Sequence, residues 1–229
     1  MSSLKMRKRS RQWRSRVVAA LLFSLFCARP DCARATDPSQ IKTIFVFGDS
    51  LSEGFAISPR QAWPMLLVER LRPIGPNFRV INASASGITT EDGLRRLPTH
   101  LEHPVDIFVL ELGVNDPFDS IPVEQTHANL QSMIDQVKAC NPNATVMIVG
   151  MQFPIAEPYS EYVAAFVKMF GQLAEKNHAA LVPNLLEGVV GDPKLNLPDR
   201  IHPNATGHKV LVENVWRVLE PIAWEVGAK

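Results

Sequence analysis

The sequence predicts an α/β protein, a parallel sheet covered by helices on both faces. Three observations carry this. Short apolar runs alternate strictly with segments of helical periodicity from residue 43 to residue 226. The runs are unbroken and rich in β-branched and aromatic residues, as in strands buried on both faces. The chain has 229 residues, 46% hydrophobic and 21% charged, which suits one domain with a sizeable core.

The first 35 residues stand apart from this pattern. Lys5, Arg7, Lys8, Arg9, Arg11, Arg14 and Arg16 form a basic start, followed by an apolar stretch from Val17 to Cys27. That stretch is too short for an ordinary membrane span. Ala33-Arg34-Ala35 then offers a small-x-small cleavage site. Basic, apolar and cleavable segments in this order read as a secretory leader over 1–35, with a mature domain over 36–229. The expected location is periplasmic or secreted, with no membrane span after cleavage. Of 24 basic and 23 acidic residues, the leader holds nine basic and one acidic, so the rest carries 15 against 22. A mildly acidic body argues against nucleic acid as a partner.

Within the domain, strands are expected at 43–47, 78–83, 106–112, 145–150 and 179–182, and helices at 61–71, 90–101, 122–140, 159–177 and 205–226. The segment 122–140 places Val123, Leu130, Ile134 and Val137 at helical spacing, with Pro122 at its start. Asn141-Pro142-Asn143 stops it. Five strands in strict alternation with helices suggest the flavodoxin-like order 2-1-3-4-5. In that order the first strand lies between the second and third. Ligands bind at the carboxyl ends of such strands. There the order gathers Gly48-Asp49-Ser50-Leu51, Ser84-Ala85-Ser86-Gly87 and Gly113-Val114-Asn115-Asp116.

Ser50 is the candidate nucleophile. A serine hydroxyl needs a base, and the best candidate is His202, in Asp199-Arg200-Ile201-His202-Pro203. On a tight turn, Asp199 reaches Nδ1 of His202, fixing its tautomer and leaving Nε2 for Ser50. Attack on an acyl carbonyl also needs donors for the developing oxyanion. The backbone N–H groups of Ser50 and Gly87 and the side-chain amide of Asn115 are candidates.

Four ordered blocks, Gly48-Asp49-Ser50-Leu51, Gly87, Gly113-x-Asn115-Asp116 and Asp199-x-x-His202-Pro203, resemble the SGNH, or GDSL-type, hydrolases. The resemblance spans 41–226. Ala62-Trp63-Pro64, Val80-Ile81-Asn82-Ala83-Ser84, Glu111-Leu112-Gly113 and His202-Pro203-Asn204 look like the bacterial thioesterase I/lysophospholipase/arylesterase branch. It implies a three-layer α/β/α fold and hydrolysis of acyl esters or thioesters. It also implies Ser50, Asp199 and His202 as triad and Ser50, Gly87 and Asn115 as oxyanion hole. Val114 and Arg200 are read as tolerated positions in these blocks. The expected partner is a small acyl ester or thioester, with no cofactor, no metal and a monomeric state.

Single residues have plainer readings. Ser50 and Asp49 suit a helix N-cap, Gly87 and Asn115-Asp116-Pro117 suit turns, and Asp199 with His202 suits a capping pair. Their joint occurrence favours the catalytic reading. His100 and His103 lack metal-motif spacing, His208 reads as a packed or solvated helix residue, and Cys140 as a buried bystander. Phe118, Phe153, Ile155 and Tyr159 are candidates for an apolar acyl or aryl site, and equally for core. A Gly-x-Ser-x-Gly elbow is absent, since Ser52 follows Leu51. A carbohydrate O-deacetylase of the same family and a non-catalytic ligand-binding module are the alternative functions.

Overall fold

Five short strands, β1 (Lys42–Gly48), β2 (Phe78–Asn82), β3 (Ile107–Glu111), β4 (Thr145–Val149) and β5 (Ala180–Val182), form one sheet. Every pairing is parallel and the order is β2-β1-β3-β4-β5. The predicted topology is therefore correct, and each strand lies within one residue of its expected bounds. The computed structural model describes residues 41–75, 77–152 and 160–228. The expected leader, and Phe153, Ile155 and Tyr159, lie outside the described residues.

The helices are α1 (Ser50–Glu53), α2 (Trp63–Leu71), α3 (Thr90–Arg96), α4 (Val123–Cys140), α5 (Ser160–Asn177) and α6 (Ala205–Gly227). Helices α2 and α6 pack together, as do α3 with α4 and α4 with α5. These two groups enclose the sheet in a three-layer α/β/α arrangement. Central strands buried on both faces must be apolar throughout, and Ile44 to Phe47 and Ile107 to Leu110 are all buried. Burying each such side chain contributes about 1.5–3 kcal/mol. Among the described residues, no helix is long and apolar enough to cross a membrane.

Two details depart from the sequence reading, and one open alternative is decided. The expected helix 90–101 ends at Arg96 and continues as a 3-10 turn, Leu97–His100, because Pro98 has no N–H to extend the α-helical ladder. The four-residue α1 was not expected, being too short to show a periodicity. His208 is packed rather than solvated: it is buried, and its Nδ1 accepts the Trp63 N–H at 3.1 Å. Register matters most at the carboxyl edge. There β1 ends with Gly48 paired to Glu111, and β2 ends at Asn82. Ser50, Gly87 and Asn115 all follow from this edge.

Candidate active site

The turn that holds the candidate nucleophile is built locally. Asp49 is the N-cap of α1 and its side chain accepts the Leu51 N–H at 3.0 Å. Ser50 is the first helical residue, so its own N–H has no acceptor within the helix. Gly54, in the left-handed region at φ 89°, ends α1 after one turn. The turn is tied down from two sides. Asn82 Nδ2 donates to the Ser52 carbonyl at 2.8 Å, and Ser52 Oγ donates to Glu111 at 2.5 Å.

His202 arrives from the far end of the chain. Nε2 of His202 is 3.0 Å from Ser50 Oγ, and Nδ1 is 2.8 Å from Asp199 Oδ2. With Nδ1–H donated to Asp199, Nε2 carries the lone pair and accepts from the Ser50 hydroxyl. The other Asp199 oxygen, Oδ1, accepts the backbone N–H groups of Ile201 at 2.9 Å and His202 at 3.0 Å. Arg200 between them takes the left-handed conformation, at φ 61°. Partial burial pushes the Asp199 carboxyl up. Hydrogen bonds from Ile201 and from both the ring and backbone of His202 outweigh it and hold the group below its ordinary value.

The loop carrying this pair is itself braced. Asn196 bridges to Pro203, and the buried Asn196 amide donates to the carbonyls of Val189 at 2.6 Å and Asp192 at 2.8 Å. Asn204, the N-cap of α6, accepts the N–H groups of Thr206 and Gly207 and donates to the Lys194 carbonyl at 2.9 Å.

The Gly87 and Asn115 segments connect to the same turn. Ala85 N–H donates to the Gly48 carbonyl at 3.0 Å, and Ser86 donates to Glu53 of α1 through its N–H at 2.8 Å and through its hydroxyl. Gly87 has φ +76°, a conformation that disfavours any side chain, and it faces open space. Asn115 Nδ2 donates to the carbonyl of Ile88 at 2.9 Å, which leaves the amide a second N–H to give. Below, buried Asp116 accepts Thr90 N–H at 2.8 Å, Thr90 Oγ1 at 2.5 Å and Thr126 Oγ1 at 2.7 Å, locking α3 and α4 to the end of β3.

Ser50, His202 and Asp199 form one hydrogen-bonded line, and hydrogen bonds link the segment holding Gly87 both to α1 and to Asn115. Chemically, such a line can move a proton from a hydroxyl to an imidazole. Residues 46–210 match the family model for GDSL-like lipases and acylhydrolases.

The chain belongs to this GDSL-type hydrolase family.

Esterase TesA of Pseudomonas aeruginosa is 38% identical over 188 residues, covering 82% of this chain and 92% of that protein. Thioesterase 1/protease 1/lysophospholipase L1 of Escherichia coli K12 is 32% identical over 181 residues, covering 79% and 84%. Among solved structures, the psychrotrophic esterase EstA from Pseudoalteromonas sp., inhibited by monoethylphosphonate, superposes with a TM-score of 0.71 at 27% identity. That match covers 79% of this chain and 98% of EstA.

Two neighbours of these residues, Phe55 and Glu111, were not anticipated. The Phe55 ring centroid is 4.4 Å from that of His202, and the side chain is 42% exposed. Glu111 is the one charged residue inside the buried β3, which was the available sign of a special role. Phe118 is 81% exposed on the 3-10 turn that follows Asn115, so it is not core. No group of three or more His, Cys, Asp or Glu suited to a metal occurs among the described residues.

Proposed function

We propose that this protein is an exported serine esterase that cleaves carboxylic esters or thioesters through an acyl-enzyme. The observation that carries the reading is the Ser50–His202–Asp199 line, at 3.0 and 2.8 Å. Its chemistry follows from those contacts. His202 Nε2 takes the Ser50 proton as Oγ bonds to the acyl carbon. The oxyanion that forms is held by the N–H groups of Ser50 and Gly87 and by the free amide hydrogen of Asn115. Collapse breaks the bond to the alcohol or thiol, which leaves with the proton from His202. Water then attacks the acyl-Ser50 ester with His202 again accepting the proton, and collapse frees the acid and restores Ser50. Asp199, kept ionised by its hydrogen bonds, stabilises the imidazolium in both halves.

The reading of the substrate rests on similarity. TesA is an esterase, and the Escherichia coli relative is a thioesterase and lysophospholipase by name. Phe118, exposed on the turn that follows Asn115, is the candidate to meet an acyl or aryl group. Export to the periplasm is supported by the leader-like order of residues 1–35.

The test is turnover of p-nitrophenyl butyrate by the mature protein. Ser50→Ala is expected to abolish it without loss of folding, and unchanged turnover would overturn the assignment. Asn115→Ala is expected to slow it by about 10²–10³, the usual loss for one oxyanion donor. A serine-directed phosphonate should add once, at Ser50, as mass spectrometry would show. A panel of aryl esters, acyl thioesters and an acetylated sugar then separates the esterase from an O-deacetylase.

A further inference from the structure

Beneath the nucleophile turn lies a pair of acids that the chemistry above leaves unused. Glu111 and Asp49 are both fully buried, at 0% exposure. Glu111 closes β3 opposite Gly48, the last residue of β1, in the sheet register. Its Oε2 accepts the Ser52 hydroxyl at 2.5 Å, and the nearby Asp49 N–H favours its charged form. One side chain thus holds the residue two places after Ser50 and faces the residue before it. Gly48 makes room for this grip: a Cβ there would sit 2.6 Å from Glu111 Oε2 and 2.9 Å from Ser52 Oγ.

The remaining oxygens set the charge state. Glu111 Oε1 and Asp49 Oδ2 are buried with no hydrogen-bond partner among the described residues. Two neighbouring, fully buried carboxyl groups disfavour a charge on both. The electrostatic neighbours are also acidic. Asp49 faces Glu111, and Asp116 acts on Asp49; among the described residues, no cationic side chain acts on either. Burial pushes Glu111 well above its usual range, with the Asp49 charge adding to it and the Ser52 and Asp49 hydrogen bonds opposing it. Burial likewise pushes Asp49 up to about 7, against the Leu51 N–H and with repulsion from Asp116.

We propose that Glu111 is a positioning residue for Ser50 and keeps its proton at neutral pH. A neutral carboxyl suits the site better than a charge, since it still accepts from Ser52 without an uncompensated buried anion. The inference rests on Ser50 being the nucleophile only for its catalytic half. Its protonation half is independent of turnover.

Glutamine is close to isosteric with the protonated acid and cannot ionise. The experiment compares wild type, Glu111→Gln and Glu111→Ala for kcat and KM on p-nitrophenyl butyrate, and compares melting temperatures from pH 5 to 9. Glu111→Ala is expected to lower kcat by about 10²-fold, the loss that a 1 Å misplacement produces, with KM little changed. Glu111→Gln is expected to recover most of that loss. Because unfolded Glu111 ionises above its ordinary value while the folded residue does not, wild type loses stability as pH rises and the glutamine variant is spared this loss. The melting temperature of Glu111→Gln minus that of wild type is therefore expected to grow from pH 5 to pH 9. A pH-independent difference would overturn the protonated state. Wild-type kcat in Glu111→Ala, or no recovery with glutamine, would overturn the positioning role. An active Ser50→Ala variant would instead mark failure of the nucleophile assignment, leaving the melting comparison intact.

Discussion

Phe55 stands over His202, with ring centroids 4.4 Å apart and planes inclined at 36°. The contact follows from the brevity of α1: Gly54 turns the chain back immediately, and Phe55 N–H still bonds the Ser50 carbonyl at 3.2 Å. One turn of helix therefore delivers both the candidate nucleophile and an aromatic face for the candidate base. That face attracts the imidazolium formed when His202 accepts a proton, an effect of about 0.5–1 kcal/mol at an exposed site.

Replacing Phe55 with Leu keeps the bulk and removes the π face. The expected outcome is a fall in kcat/KM of roughly two- to fivefold. Tyr at the same position should restore it. Steady-state kinetics of the three proteins measures this.

Gly48 tests how tightly the carboxyl edge is packed. A Cβ at this position would lie 2.5 Å from the Glu111 carbonyl oxygen, a backbone atom that cannot rotate away. Gly48→Ala is expected to cost about 1–3 kcal/mol, as overpacked sites do. At about 2–4 °C per kcal/mol for a domain of this size, thermal melting resolves it.

His208 makes stability sensitive to acid. Burial drives its pKa down to about 4 while its Nδ1 accepts from Trp63. The unfolded group binds a proton near pH 6.5, so the contribution is complete above that value and is lost as pH falls through about 4. A shift of that size corresponds to roughly 3 kcal/mol. Urea unfolding at pH 7 and pH 4.5 should show a steeper loss for wild type than for His208→Asn, whose side chain retains an acceptor and does not titrate.

Gly207 lets the first turn of α6 approach the loop that carries Asp199 and His202. A Cβ there would fall 2.2 Å from the Leu195 carbonyl oxygen. Gly207→Ala should displace the 196–203 loop and lower kcat by about 10²-fold, on the scale of a 1 Å shift. Esterase kinetics beside a melting curve separates this from general unfolding.

The sheet was legible because its physics is one-dimensional. Strands buried on both faces must be continuous apolar runs, and Ile44 to Phe47 and Ile107 to Leu110 show this without any knowledge of their neighbours. The order 2-1-3-4-5 followed from alternation and crossover rules. The spacing of Asp199 and His202 likewise announced a local turn, and the structure closes it at 2.8 Å. Helix α1 was not legible, since a single turn leaves no periodicity to read.

Residue order alone thus determined the α/β class, the strand order and the segments that meet at the carboxyl edge, because local pattern and chain connectivity decide those. Only the tertiary structure decided that Phe55 caps His202, that Asp116 ties α3 and α4 to β3, and that Glu111 reaches beneath Ser50 to Ser52. Each joins residues distant in sequence or depends on where a chain turn points a side chain. A buried carboxyl takes its charge and its partners from the three-dimensional surroundings, and here Glu111 meets Ser52, which the sequence lists 59 positions away.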